Sequence, residues 1–131
     1  MEGNQAMRTR QRTSMHHPPA DELDLLEVLH ALADDTRMRI VLTLLEDVER
    51  PCGTFDVDVA PSTLTHHFRV LRESGVIHQR EEGRRKWTTL RLEDLESRFP
   101  GVLTSIAEVY AVSAYRPTHQ DLAHPTDRRK L

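Results

Sequence analysis

Cysteine and glycine are both scarce in this chain, and each scarcity closes off a class of protein. A single cysteine, Cys52, in 131 residues excludes an intrachain disulfide and any multi-cysteine zinc site. Five scattered glycines supply no glycine-rich phosphate loop. No nucleophile, base and orienting group fall into a recognisable set either, so an enzyme is not expected. No apolar run approaches the ~20 residues of a membrane span. The N-terminus lacks the apolar core of a signal peptide, and a cytoplasmic protein with no membrane contact is the expectation. With 37% hydrophobic residues and a mean hydropathy of −0.57, the chain can form one modest core flanked by ends that need not fold.

Negative charge is scarce in one particular place. The chain as a whole carries −3, which by itself argues against a nucleic-acid partner. Its distribution reverses that argument. Residues 60–86 hold six basic residues (Arg69, Arg72, Arg80, Arg84, Arg85 and Lys86) against Glu73, Glu81 and Glu82. Residues 21–50 hold nine acidic residues against Arg37, Arg39 and Arg50. An acidic body with one basic face keeps non-specific affinity for DNA low while leaving a cationic surface to grip phosphate.

Periodicity divides the chain into three parts. Residues 1–20 show almost no apolar pattern and are expected to form a disordered tail, with Arg8, Arg10 and Arg12 as a solvated or weakly DNA-attracting arm. Residues 21–116 form the expected domain, and residues 117–131, rich in proline, histidine and charge, a flexible C-terminal tail. Within the domain, Leu23, Leu26, Leu29 (or His30) and Leu32 lie on one helical stripe. Asp34, Asp35 or Thr36 can cap the next helix, whose stripe runs Ile40, Val41, Leu44, Leu45 and Val48. Pro51-Cys52-Gly53 ends it, and Phe55, Val57 and Val59 belong to a short turn. A helix then starts at Ser62 and stops at Gly75. Strands are expected near 76–79 and 87–92 around a turn at 82–86, followed by a short helical piece and a final helix over 101–115. Two apolar stripes, on the first and last helices, exceed what a small monomer should leave uncovered. Leu23, Leu26, Val102, Ile106, Val109 and Tyr110 are therefore the candidate contacts of a two-fold dimer.

The helix after Pro61 carries the functional pattern. Ser62, Thr65, His66 and Arg69 share one face at i, i+3, i+4 and i+7, with Thr63 beside them, and no Glu or Asp intervenes from Ser62 to Arg69. Hydroxyls, imidazole and guanidinium are side chains that can read base edges in a major groove. Leu64, Phe68 and Leu71 form the opposite, buried stripe. Arg72, Arg80, Arg84, Arg85 and Lys86 are the candidate phosphate contacts, the last three at a hairpin tip after Gly83. His67 is expected half-buried and Trp87 to anchor a strand in the core. Adjacent histidines make a poor chelate on a helix, where i and i+4 is the useful spacing, so no metal site and no cofactor are assigned at His66-His67. His16-His17 and His119-x-Asp121-x-x-His124 have metal-like composition but fall in the expected tails. Cys52 is the candidate redox residue, without a second cysteine to resolve it. The fold expected is mainly α with a small β-hairpin (α+β), a winged helix-turn-helix. Its rival function is a winged-helix protein–protein module that does not bind DNA.

Residues 32–40, Leu-Ala-Asp-Asp-Thr-Arg-Met-Arg-Ile, and 62–77, Ser-Thr-Leu-Thr-His-His-Phe-Arg-Val-Leu-Arg-Glu-Ser-Gly-Val-Ile, resemble the ArsR/SmtB family of bacterial winged-helix repressors. The resemblance spans about residues 22–115. It implies a recognition helix over Ser62–Arg69, a wing over 76–92 and a dimer interface formed by 22–33 with 101–115. It also implies a homodimeric repressor on palindromic double-stranded DNA, released by a small-molecule or redox effector. The chain departs from the family's metal-responsive branches. Pro51-Cys52-Gly53-Thr54-Phe55-Asp56 has one cysteine where a Cys-Val-Cys pair would stand, and Gly101–Tyr115 contains neither Asp nor His. Pro61 also replaces a polar residue at the start of the recognition helix, which suits a first helical turn.

Overall fold

Helix α1 (Leu25–Leu32) and helix α2 (Asp35–Glu46) meet at a sharp break, and an aspartate caps the start of each. Asp24 caps α1 by accepting from the Glu27 amide at 3.0 Å, and Asp34 caps α2 by accepting from the Arg37 amide at 3.1 Å. Each cap satisfies one of the amides that a helix start leaves without an intrahelical partner. The rest of the computed structural model is a two-residue strand β1 (Arg50–Pro51), a 3-10 turn (Cys52–Thr54), helix α3 (Pro61–Ser74), strands β2 (Ile77–Glu82) and β3 (Arg85–Leu90), and helices α4 (Leu92–Arg98) and α5 (Val102–Ala114). The structure describes residues 15–47 and 49–114. Arg8, Arg10, Arg12, Val48 and the His119/Asp121/His124 cluster lie outside the described residues.

The sheet is antiparallel in the order β1-β3-β2, with β3 central. Its third strand was not foreseen from the sequence, because Pro51 reads as a helix terminator. Proline lacks the amide that a ladder needs, yet it is tolerated here on an edge strand, opposite Trp87. The hairpin strands run further toward the tip than expected and leave a two-residue turn, Gly83-Arg84. Gly83 takes φ 65°, the positive value that tight hairpins require. Glu81 faces Lys86 and Glu82 faces Arg85 across the strands, so the charge at the tip is partly balanced by register.

The core is one cluster contributed mainly by α1, α2, α3 and the hairpin: Val28, Ile40, Val41, Leu71, Val76 and Ile77 are almost wholly buried. The stripe expected on the first helix is shifted. Val28, Ala31 and Leu32 face inward, while Leu26 is 73% exposed. Leu23 precedes the helix and is 2% exposed, buried within its own chain. Its place in the candidate dimer contacts is thereby corrected. The cause lies at Gly75, which ends α3 in the left-handed region at φ 92° and has no side chain; a Cβ there would overlap Leu23 Cδ2. Phe55 also joins the core, meeting Phe68 edge-on at 5.3 Å. The span from Phe55 to Ala60 forms no helix.

The expected N-terminal tail also ends earlier than residue 20. His17 accepts a hydrogen bond from the Gln79 amide at 3.0 Å on the free edge of β2 and stacks on His78 at 4.3 Å. Arg91 Nη1 donates to the Pro18 carbonyl at 2.8 Å. Residues 17 and 18 thus strap the wing edge, which otherwise presents unpaired backbone groups.

Candidate nucleic-acid interface

Helix α3 starts with Pro61 at a position where no amide is needed, and its next two turns present short polar side chains. Ser62, Thr63, Thr65, His66 and Arg69 are all exposed. Thr65 Oγ1 donates to the Pro61 carbonyl at 3.0 Å, which orients its hydroxyl along the helix. The opposite side holds the helix in the body through Phe68 and Leu71, together with two buried polar residues, His67 and Ser74.

A buried guanidinium ties three helices to one another. Arg37, on α2, is 8% exposed. Its Nε donates to the Ala31 carbonyl of α1 at 2.6 Å, and its Nη1 stands 3.0 Å from His67 Nδ1 of α3. Arginine has no acceptor, so His67 Nδ1 must accept, and the ring proton sits on Nε2. That tautomer is neutral. Burial pushes the His67 pKa down, and Arg37 and His66 add to the shift. Asp34, 3.7 Å from Nδ1, pulls the other way and is outweighed. Helix α3 therefore docks through a satisfied, uncharged histidine. In the sequence, His67 could be placed near the buried stripe, but its partner thirty residues away could not.

The candidate cations divide into two groups. Arg84, Arg85 and Lys86 are exposed at the hairpin tip, with the Arg85 guanidinium 5.7 Å from the Trp87 ring centroid. Arg72 and Arg80 are engaged within the protein. Arg72 Nη1 donates to Gln79 Oε1 at 2.9 Å, linking α3 to β2. Arg80 pairs with Glu49 and, at 3.0 Å, with Glu82. Both arginines were candidate phosphate contacts by sequence, and each has its charge or donors turned to a protein acceptor instead. Trp87 is half-buried between Arg80 and Arg85 rather than a core anchor. Thr65 of α3 and Lys86 of the hairpin line one shared cavity, so the helix face and the cationic tip are neighbours.

Cys52 Sγ accepts from Gln79 Nε2 at 3.1 Å and lies 3.3 Å from Thr88 Oγ1. Of the candidate dimer contacts, Leu26 and Val109 are exposed, while Val102, Ile106 and Tyr110 are half-buried. Ile106 and Tyr110 pack on the core, and the Tyr110 hydroxyl donates to Asp35. Among the described residues, no three His, Cys, Asp or Glu side chains converge as a metal site would require. Also among them, no helix is long and apolar enough to cross a membrane.

The pattern of a helix-turn-helix domain family matches residues 32–80, from the end of α1 to the middle of β2. An uncharacterized HTH-type transcriptional regulator of Bacillus subtilis (strain 168), YceK, is 29% identical over 90 residues, covering 66% of this chain and 90% of that protein. A cadmium resistance transcriptional regulatory protein CadC homolog of Staphylococcus aureus is 34% identical over 64 residues, 47% of this chain and 53% of its own length. The crystal structure of the ArsR family transcriptional regulator RHA00566 superposes with a TM-score of 0.52 at 21% identity, covering 77% of this chain and 99% of that one. The chain carries a helix-turn-helix domain and shares the winged-helix fold of that ArsR family regulator. Both of these sequence relatives are transcriptional regulators.

Proposed function

We propose that this chain is an ArsR-type regulator, a homodimeric repressor that reads a palindromic operator through Ser62, Thr63, Thr65, His66 and Arg69 and grips phosphate through Arg84, Arg85 and Lys86. One observation carries the assignment: an exposed helix face free of acidic residues from Ser62 to Arg69 lies beside a tip of three consecutive cations. A single helix reads only a few base pairs, and a second copy about one helical turn away doubles the site. Leu26, Val109 and Val112 are 73%, 68% and 72% exposed, which supports a second copy as their cover. Dissociation from DNA on effector binding completes the cycle.

Fluorescence anisotropy with DNA from the protein's own promoter, compared with scrambled DNA across a salt series, tests this reading. Sequence-selective binding by two protomers with a steep salt slope is the expected result. A folded protein with no affinity for either DNA at low salt would replace the reading with that of a protein–protein module.

A further inference from the structure

A cavity of about 230 Å³ lies between the recognition helix, the turn at Cys52-Gly53 and the wing. Its apolar wall is Pro61, Leu64 and Phe68 from α3. Its polar wall is Arg72, Gln79 and Lys86. Arg72 spends Nη1 on Gln79, but its Nε is buried and has no acceptor among the described residues. The acceptor of Nη1 is a neutral amide, so the guanidinium that lines this cavity keeps its positive charge. Lys86 brings a second cation to the same space. On the far side of Cys52 and Gly53, an open groove of about 460 Å³ adds Arg84 and Arg85. The two spaces share Cys52, Gly53 and Lys86, so the cavity opens toward the cationic tip.

We propose that this cavity is a binding site for a small single-ring carboxylate, whose ring lies against Leu64 and Phe68 and whose carboxylate faces Arg72 and Lys86. Size sets the class. The volume is about eight times the ~30 Å³ share of one liquid water, and it lies below the ~300 Å³ at which drug-sized sites begin. One ring fills the space between Leu64 and Phe68 and the polar wall. Charge and geometry set the head group, because a planar carboxylate matches a guanidinium N–H and an ammonium with charge-assisted hydrogen bonds. A bound ligand would act on DNA directly. It neutralises Lys86, one of the three tip cations, and it stands beside the Arg72–Gln79 link that ties the recognition helix to the wing. The regulatory consequence rests on the DNA-binding reading above, whereas occupancy of the cavity does not.

The test uses benzoate as the probe on the full chain, read by ¹H–¹⁵N NMR without DNA. Benzoate is expected to shift the amides of Gly53, Leu64, Arg72 and Lys86 saturably, with millimolar or tighter affinity. Benzamide, its neutral counterpart, should bind at least tenfold more weakly, and acetate and inorganic phosphate should leave Leu64 unmoved. Gly53 lines the cavity, and an added Cβ there meets no atom within 4 Å, so Gly53→Phe adds a ring at the cavity wall without a clash at Cβ. That variant should remain folded and lose the benzoate shifts, and Gly53→Met serves if the larger side chain misfolds. Shifts confined to 84–86 and reproduced by phosphate would reduce the effect to anion binding at the tip and overturn the site. Equal binding of benzamide would overturn the carboxylate assignment. In anisotropy, saturating benzoate should lower operator affinity tenfold or more for the wild type and leave the filled variant unaffected. Binding by NMR with no loss of operator affinity would overturn the regulatory role alone.

Discussion

The two sides of helix α3 draw on similar residues and give them opposite surroundings. On one side, His66, Thr65 and Arg69 are exposed. On the other, His67 and Ser74 are buried beside Phe68 and Leu71, and each has a protein partner: His67 with Arg37, and Ser74 with the Leu71 carbonyl at 3.0 Å. Histidine appears on both sides, so residue type alone does not separate recognition from docking. What separates them is whether the donors and acceptors are already spent. A polar side chain with its partners inside the protein positions the helix, and one with its partners still in water can be offered to DNA.

Substitutions can pull the two sides apart, and the largest effects belong to the buried one. Leu71→Ala should cost about 2–5 kcal/mol of stability, measured by chemical denaturation, because Leu71 is fully buried at the centre of the core. Arg37→Ala leaves His67 Nδ1 and the Ala31 carbonyl without their shared donor and should cost about 2 kcal/mol or more. A much smaller loss would show that α3 is held by its apolar stripe alone. On the exposed side, His66→Ala and Arg69→Ala should each weaken specific DNA binding by ~1–3 kcal/mol while leaving the melting temperature unchanged. If they destabilise the protein as Arg37→Ala does, the contrast between the sides fails.

Smaller effects sharpen the same contrast on the wing. Arg84→Ala should weaken specific and random DNA alike and flatten the salt slope by about one unit, as expected when one phosphate is no longer neutralised. Arg80→Ala should do neither, since Glu49 and Glu82 already hold that guanidinium. The subtlest effect is acid release of the strap. The His17 pKa is lowered to about 4, first by burial and then by His78, Arg72 and Arg91 around it. The docked state therefore binds fewer protons than the free segment, whose histidine takes its ordinary value near 6.5. Docking is at full strength above pH 6.5, weakens as pH falls toward 4, and loses nothing further below that. The Gln79 amide resonance should move across this window in the wild type and not in His17→Ala.

Much of this was legible in the residues. The Leu64/Phe68/Leu71 stripe, the stop at Gly75, the Asp34 cap and the cations after Gly83 are local signals, because periodicity, capping and turn chemistry act over four or five residues. The same local reasoning misplaced Leu23, which looks like part of an outward stripe until Gly75, 52 positions later, makes room for it. It also left Arg80 unpaired, since a side chain's charge shows in the sequence and its partners, here Glu49 and Glu82, do not. Pro51 concealed a strand for a related reason: an edge position, the one place in a sheet where proline fits, exists only once β3 is beside it.

The sequence by itself determined the order and type of most elements, the face of α3 that could meet DNA, and the cationic tip, all of which follow from short-range spacing. The tertiary structure alone decided which polar groups are spent. It joined Arg37 to His67 across thirty residues and His17 to Gln79 across sixty-two, and it closed a cavity between Leu64, Gln79 and Lys86. Hydrogen bonds and cavities depend on distances between chain-remote atoms, and only the packing of the whole core sets those distances.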